Sequence, residues 1–204
     1  MSDPYRRAHI AHPILRLDVL APDGTRQSEY RVFCKKQQRA VPMATCCGCV
    51  HCDSIDAGPA PSVNCTVPAE SVAHEPDPDG LHTAVGQVLT HGVSAVEHGT
   101  SLRDALALLR AEDRRSLPVV DDGGVIVGVV YDAGAQQPAL RDACVAASMS
   151  TSLAVPDTTP VRRALELMAA AHLRELTVID EHHVPLGTFR DIDGLRWLVE
   201  ARKG

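Results

Sequence analysis

Leu102, Ala105, Leu106 and Leu109 fall at positions i, i+3, i+4 and i+7, the spacing that gathers apolar side chains on one face of a helix. Val161, Ala164, Leu165 and Met168 repeat that spacing 59 residues later. The flanking patterns repeat too. A short apolar strand precedes each helix (93–96 and 153–155), and a buried strand follows it (117–120 and 176–179). A polar turn at 121–124 or 180–183 then leads to a second strand at 125–130 or 184–189. Thr100 opens the first helix and Thr159-Pro160 the second, since Thr can cap free N–H groups and Pro suits the first helical position. The second copy ends in a helix with Ile192, Leu195 and Val199 on one face, whereas 133–138 in the first copy makes a poor helix. The unit is β-α-β-β-α.

Residues 95–134 align on 154–193 without a gap, with 15 identities in 40 positions. Ordinary composition gives roughly two to four by chance. A unit of this size cannot bury its apolar face alone. The expected fold is therefore α+β, two tandem repeats packed as a pseudo-two-fold pair, with the cleft between them as the place for a ligand.

Upstream, 14–20 mostly alternates, Pro22-Asp23-Gly24 turns the chain, and 28–33 reads as a return strand that delivers Cys34. Pro59, Pro61, Pro68, Pro76 and Pro78 punctuate an acidic stretch with no apolar period, which reads as a linker. The predicted organisation is a Cys-rich β-hairpin metal module over 1–55, a linker over 56–80, and repeats over 81–139 and 140–204.

The net charge of −6 is unevenly spread: +4 over 1–50, −6 over 53–80 and −4 over 81–204. A weakly basic head followed by an acidic segment is a poor nucleic-acid footprint. Aromatic residues make up 3 % of the chain, too few for base-stacking platforms. No run reaches the roughly 18 apolar residues of a membrane span. The polar start, residues 1–7, lacks the apolar core of a signal peptide, which predicts a cytoplasmic protein. Thiols stay reduced there, so the seven cysteines read as metal ligands or redox groups.

Cys46, Cys49 and Cys52 form overlapping C-x-x-C units, with Cys34 upstream and Cys65 downstream. Structural zinc held by Cys34 and three of Cys46, Cys49, Cys52 and Cys65 is the first reading. The lone strand-borne Cys34 with a C-x-x-C turn is similar to a zinc ribbon, although a second regular pair is missing. An iron–sulfur cluster and a redox dithiol are the alternatives. His51 reads as solvated beside this site, and Cys144 as a buried small apolar group. No G-x-S-x-G, H-E-x-x-H or P-loop is present, so no enzymatic activity is expected. Glu181-His182-His183 reads as an exposed turn, because it aligns with Asp122-Gly123-Gly124.

Leu117-Pro118-Val119-Val120-Asp121, the hairpin and Gly128-Val129-Val130, doubled in register, resemble a cystathionine-β-synthase (CBS) domain in tandem, a Bateman module. The resemblance covers about 85–198. It implies a regulatory protein that binds an adenosine-containing ligand such as AMP or ATP between its repeats, forms a homodimer and signals to a protein partner. The family signature is Gly, two apolar residues, Thr or Ser, two variable residues and Asp. The second repeat matches at Gly187 and at Asp193, the implied ribose acceptor, and places Arg190 in the Thr/Ser slot, where a guanidinium suits phosphate. Thr188 lies within that stretch, and Thr177 and Val178 match the strand lining the adenine cleft in the family. In the first repeat Tyr131 and Gly134 replace Thr/Ser and Asp, so at most one competent site per chain is implied. The alternatives are a CBS-pair dimerisation scaffold without nucleotide binding, or a redox or iron–sulfur sensor acting through the cysteines.

Overall fold

The computed structural model describes residues 7–68, 81–132, 143–150 and 154–201, and both repeats adopt the expected α+β unit. In the first, β6 (Val93–Glu97) runs parallel to β7 (Ser116–Val120), which pairs antiparallel with β8 (Ile126–Tyr131). Helix α3 (Leu102–Ala111) makes the crossover. In the second, β9 (Ala154–Pro156), α4 (Val161–Ala170), β10 (Glu175–Ile179) and β11 (Pro185–Arg190) keep the same order, and α5 (Asp191–Ala201) closes it. Each helical stripe is core. Leu102, Ala105, Leu106 and Leu109 pack on Leu117, Val119 and Val130, while Val161, Ala164 and Met168 pack on Leu176, Val178 and Phe189. The segment 133–138 and Leu153 lie outside the described residues.

The repetition reaches the backbone. Asp113 and His172 end the two helices with φ of 52° and 54°, and Gly124 and His183 take φ of 78° and 62° in the hairpin turns. Each pair is one repeat apart. Asp121 accepts hydrogen bonds from the backbone N–H groups of Gly123 and Val125, and Asp180 accepts them from His182 and Val184. The exposed Glu181-His182-His183 turn is therefore shaped by Asp180, itself buried.

The repeats interleave. A helix leaves its first N–H groups without intrahelical partners. Here the segment leading each repeat supplies carbonyls to the helix of the other. Val161 N–H donates to Thr83 O and Arg162 N–H to Leu81 O, while Leu102 N–H donates to Ala143 O. Ser116 Oγ donates to Glu175, its own counterpart 59 residues on, which places the pseudo-two-fold axis between them. The capping differs from expectation. Ser101, not Thr100, accepts from Asp104 N–H, and the Thr100 hydroxyl donates to Leu20 O instead. Pro160 is the N-cap of α4 rather than its first helical residue, and no side chain caps that helix.

The N-terminal segment does not stand off on a tether. Strand β1 (Arg7–Leu20) pairs antiparallel with β2 (Arg26–Cys34), and β2 with β3 (Arg39–Pro42). The far end of β1, Leu17 to Leu20, pairs parallel with Val93 to Val96 of β6, so one eight-stranded sheet spans head and first repeat. Helix α1 (Met43–Cys47) and β4 (Cys52–Asp56) follow. Residues 62–68, expected within a linker, form β5 (Ser62–Pro68), paired with β4 and with the first half of β1. Val63 and Val67 point inward at period two, an alternation masked by flanking prolines.

The head also grips the second repeat. Ala40 N–H donates to Asp157 Oδ2 at 2.7 Å, Arg31 pairs with the buried Asp180, and Arg39 pairs with Glu181. Leu15 and Ala40 belong to the second repeat's core cluster. A Cβ on Gly86, in α2 (Val85–Val88), would lie 2.5 Å from the Phe33 ring, so only glycine admits that contact.

Candidate functional site

A small cleft of about 230 Å³ opens between the repeats. Leu89, Thr90 and His91, following α2, form one wall, and Glu112, Asp113 and Arg114, where α3 ends, form another. Thr188, Arg190 and Asp193, from β11 and the first turn of α5, form the third. Asp193 sits near the positive end of the helix dipole, which favours its charge. Its side chain is only 16 % exposed. Both its oxygens are held by Arg190, with Nε 2.9 Å from Oδ2 and Nη2 3.0 Å from Oδ1. That fork raises the Arg190 pKa further, chiefly through the hydrogen bond to Asp193.

The cleft is acidic. Glu112, Asp113, Glu175 and Asp193 line it against two guanidinium groups, Arg114 and Arg190. Two of the carboxylates are fixed by hydroxyl donors, Ser94 to Glu112 at 2.6 Å and Ser116 to Glu175. A polyphosphate therefore meets net repulsion, and an uncharged or cationic group does not.

Thr188, Arg190 and Asp193 thus share one wall of the cleft. Gly187, Thr177 and Val178 stand behind the cleft rather than in its lining. Thr177 and Val178 are buried mid-sheet, paired with Thr188 and Gly187 on one side and with β9 on the other. Gly187 acts through close approach: an added Cβ would lie 2.9 Å from His91 O and from a Leu89 methyl, two atoms of the opposing wall. The polar wall at 112–114 carries no motif. Its signal is a break in the repeat, where Glu112-Asp113-Arg114 replaces Ala171-His172-Leu173. In the first repeat, Tyr131 is half-buried, and burial followed by the charge of Glu175 raises its pKa; Gly134 lies outside the described residues.

The cysteines converge on the N-terminal sheet. Cys34, Cys46, Cys49 and Cys65 line a small cavity with His12 and His51, and Cys52 packs on the same apolar cluster. Among the described residues no group of three or more His, Cys, Asp or Glu side chains is arranged to hold a metal ion. This arrangement gives no support to the expected zinc-ribbon-like module or to the iron–sulfur alternative; the thiols pack as a thiol-rich core. Cys46 packs with Ile14, Val32, Val41 and Val63, and burial, then neighbouring thiols, push its pKa up to about 11. His51 Nε2 lies 2.8 Å from Lys36 Nζ. Cys144, expected to be buried, is exposed on an extended segment. No described helix is long and apolar enough to cross a membrane.

A family model described as CBS domain matches residues 85–133 and again 142–200. No curated protein matches the chain. Among solved structures, a CBS domain pair/ACT domain protein from Thermotoga maritima is 26 % identical with a TM-score of 0.52, covering 58 % of this chain and 98 % of its own. The CBS domain pair of protein MJ0100, in complex with 5′-methylthioadenosine and S-adenosyl-L-methionine, is 20 % identical with a TM-score of 0.50, covering 58 % and 97 %. CBSX2 in complex with AMP is 27 % identical with a TM-score of 0.48, covering 57 % and 96 %.

Proposed function

The chain belongs to the CBS-domain family, whose model matches both repeats over more than half its length, and on that premise we propose that it is a regulatory protein, not an enzyme, that takes an adenosine-containing ligand between its repeats. The observation that carries this reading is Asp193, largely buried at the head of α5 and facing a cleft whose walls come from both repeats. Ribose hydroxyls donate to that carboxylate, chemistry also used by acidic residues in other nucleotide folds. Arg190 leaves Asp193 as they arrive. Because one wall is 88–91 and another 188–193, a bound ligand ties the repeats together. The head reads the change through Arg31 and Ala40, which hold Asp180 and Asp157 of the second repeat.

The protein acts in the cytoplasm as a homodimer and signals to a protein partner. Ile192, Leu195 and Val199 support the dimer, being 49–56 % exposed along α5. The second reading, a scaffold without nucleotide binding, draws on the Arg190 fork that already fills both oxygens of Asp193. Thermal unfolding with adenosine, AMP, ATP, 5′-methylthioadenosine or S-adenosylmethionine separates the two, since a ligand bound to the folded state raises the melting temperature. A dose-dependent rise in the wild type that is absent in Asp193→Ala supports the sensor. No rise with any of the five supports the scaffold.

A further inference from the structure

We infer that Cys52 and Cys65 form a cross-strand dithiol that closes to a disulfide under peroxide, a redox-modification site in the N-terminal sheet. The two residues face each other in the antiparallel pair β4–β5. Thr66 N–H donates to His51 O at 2.8 Å beside them, which marks a non-hydrogen-bonded pair position. At such a position the Cα atoms lie about 4.5 Å apart and both side chains leave the same face. A disulfide needs a Cα separation of about 4.4–6.8 Å, so the bond can close without moving the strands. Both thiols also pack against one small core, with Ile14, Val63 and Cys46.

Nowhere else among the described strand pairs does the register set one cysteine against another. Cys34 faces Arg39, and Cys46 and Cys47 lie on α1. The bulge between Cys52 and Ser54 leaves Asp53 as the extra residue and interrupts the regular pairing on one side of the dithiol.

The reaction balances with hydrogen peroxide as oxidant. One thiolate attacks a peroxide oxygen, giving a sulfenic acid and releasing water once protons settle. The second thiol displaces the sulfenic hydroxyl, forming the S–S bond and a second water. Two cysteine sulfurs are oxidised and the two peroxide oxygens are reduced. Burial and neighbouring negative groups raise both thiol pKa values, that of Cys65 to about 11. The closed bond also stiffens β1, because β5 pairs with its first half and β6, in the first repeat, with its far end.

The test is a disulfide map of the whole reduced protein after graded hydrogen peroxide, without reducing agent. Cleavage before Asp53 and Asp56 separates the Cys52 peptide from the Cys65 peptide. The expected result is one linked pair of these peptides, two hydrogens lighter than their sum, with fragmentation placing the bond at Cys52. The link disappears in Cys52→Ser and in Cys65→Ser and persists in Cys47→Ser. Mapping the wild type needs no variant to fold. A link from Cys65 to Cys34, Cys46 or Cys49 overturns the inference. So does the absence of any link when the exposed Cys47 is already oxidised.

Discussion

Asp121 and Asp180 build the same turn in the two repeats, yet their surroundings differ. Asp180 is buried with the Arg31 guanidinium against it, while Asp121 is half-exposed. Removing one partner of a buried pair leaves an uncompensated charge, which costs about 3–5 kcal/mol. Arg31→Ala should therefore destabilise the protein by about 3 kcal/mol in urea unfolding, whereas truncating the exposed neighbour Glu29 should cost less than about 1 kcal/mol. The thiols Cys46, buried, and Cys65, half-buried, set a second expectation. Cys46 and Cys65 ionise at about 11 in the fold, against an ordinary 9.0. Below pH 9 both folded and unfolded chains keep these protons. Above it the unfolded chain loses them first, so stability falls as pH climbs from 9 towards 11. Melting temperatures of the reduced protein measured across that window should drop steadily, and more shallowly in Cys46→Ala.

Strand β1 links the head to the repeat pair, since it pairs with β2 and β5 at one end and with β6 at the other. Leu17, 3 % exposed, sits where that strand meets Val93, Val120 and Val184. Leu17→Ala should cost about 2–5 kcal/mol and lower the single unfolding transition of the whole chain, rather than release a separate head. A biphasic melt with the second step unchanged would contradict this. The two helices and hairpins were legible in the sequence because their signals are local, such as the stripes at 102–109 and 161–168 and the turns after Asp121 and Asp180. The pairing of β1 with β6 was not, because a parallel contact between segments some 75 residues apart leaves no local mark. Strand β5 hid among prolines. Thr188, Arg190 and Asp193 were readable through one motif, but the opposite walls, 89–91 and 112–114, come from the other repeat and from its departures from symmetry. The clustered cysteines suggested a metal. Their placement on α1 and on facing strands could not be read from spacing alone.

The molecule works as an interleaved pair. Each repeat's leading segment caps the other's helix, and Ser116 meets Glu175 on the axis. Neither repeat buries its core alone, so a ligand between them acts on the entire body. The exposed face of α5 carries the proposed assembly: Leu195→Glu should convert the proposed dimer to a monomer in sedimentation velocity while leaving the fold intact. Charge decides among ligands. With four carboxylates and two guanidinium groups in the cleft, adenosine compounds with an uncharged or cationic 5′ arm should bind at least tenfold more tightly than ATP. The most direct measurement is calorimetric titration of the wild type and Asp193→Asn, an uncharged isostere, with 5′-methylthioadenosine, S-adenosylmethionine, AMP and ATP. Saturable binding to the wild type, weakened at least tenfold in Asp193→Asn, is the predicted result. Binding that Asp193→Asn leaves unchanged, or no binding by any of the four, would contradict a site built on Asp193.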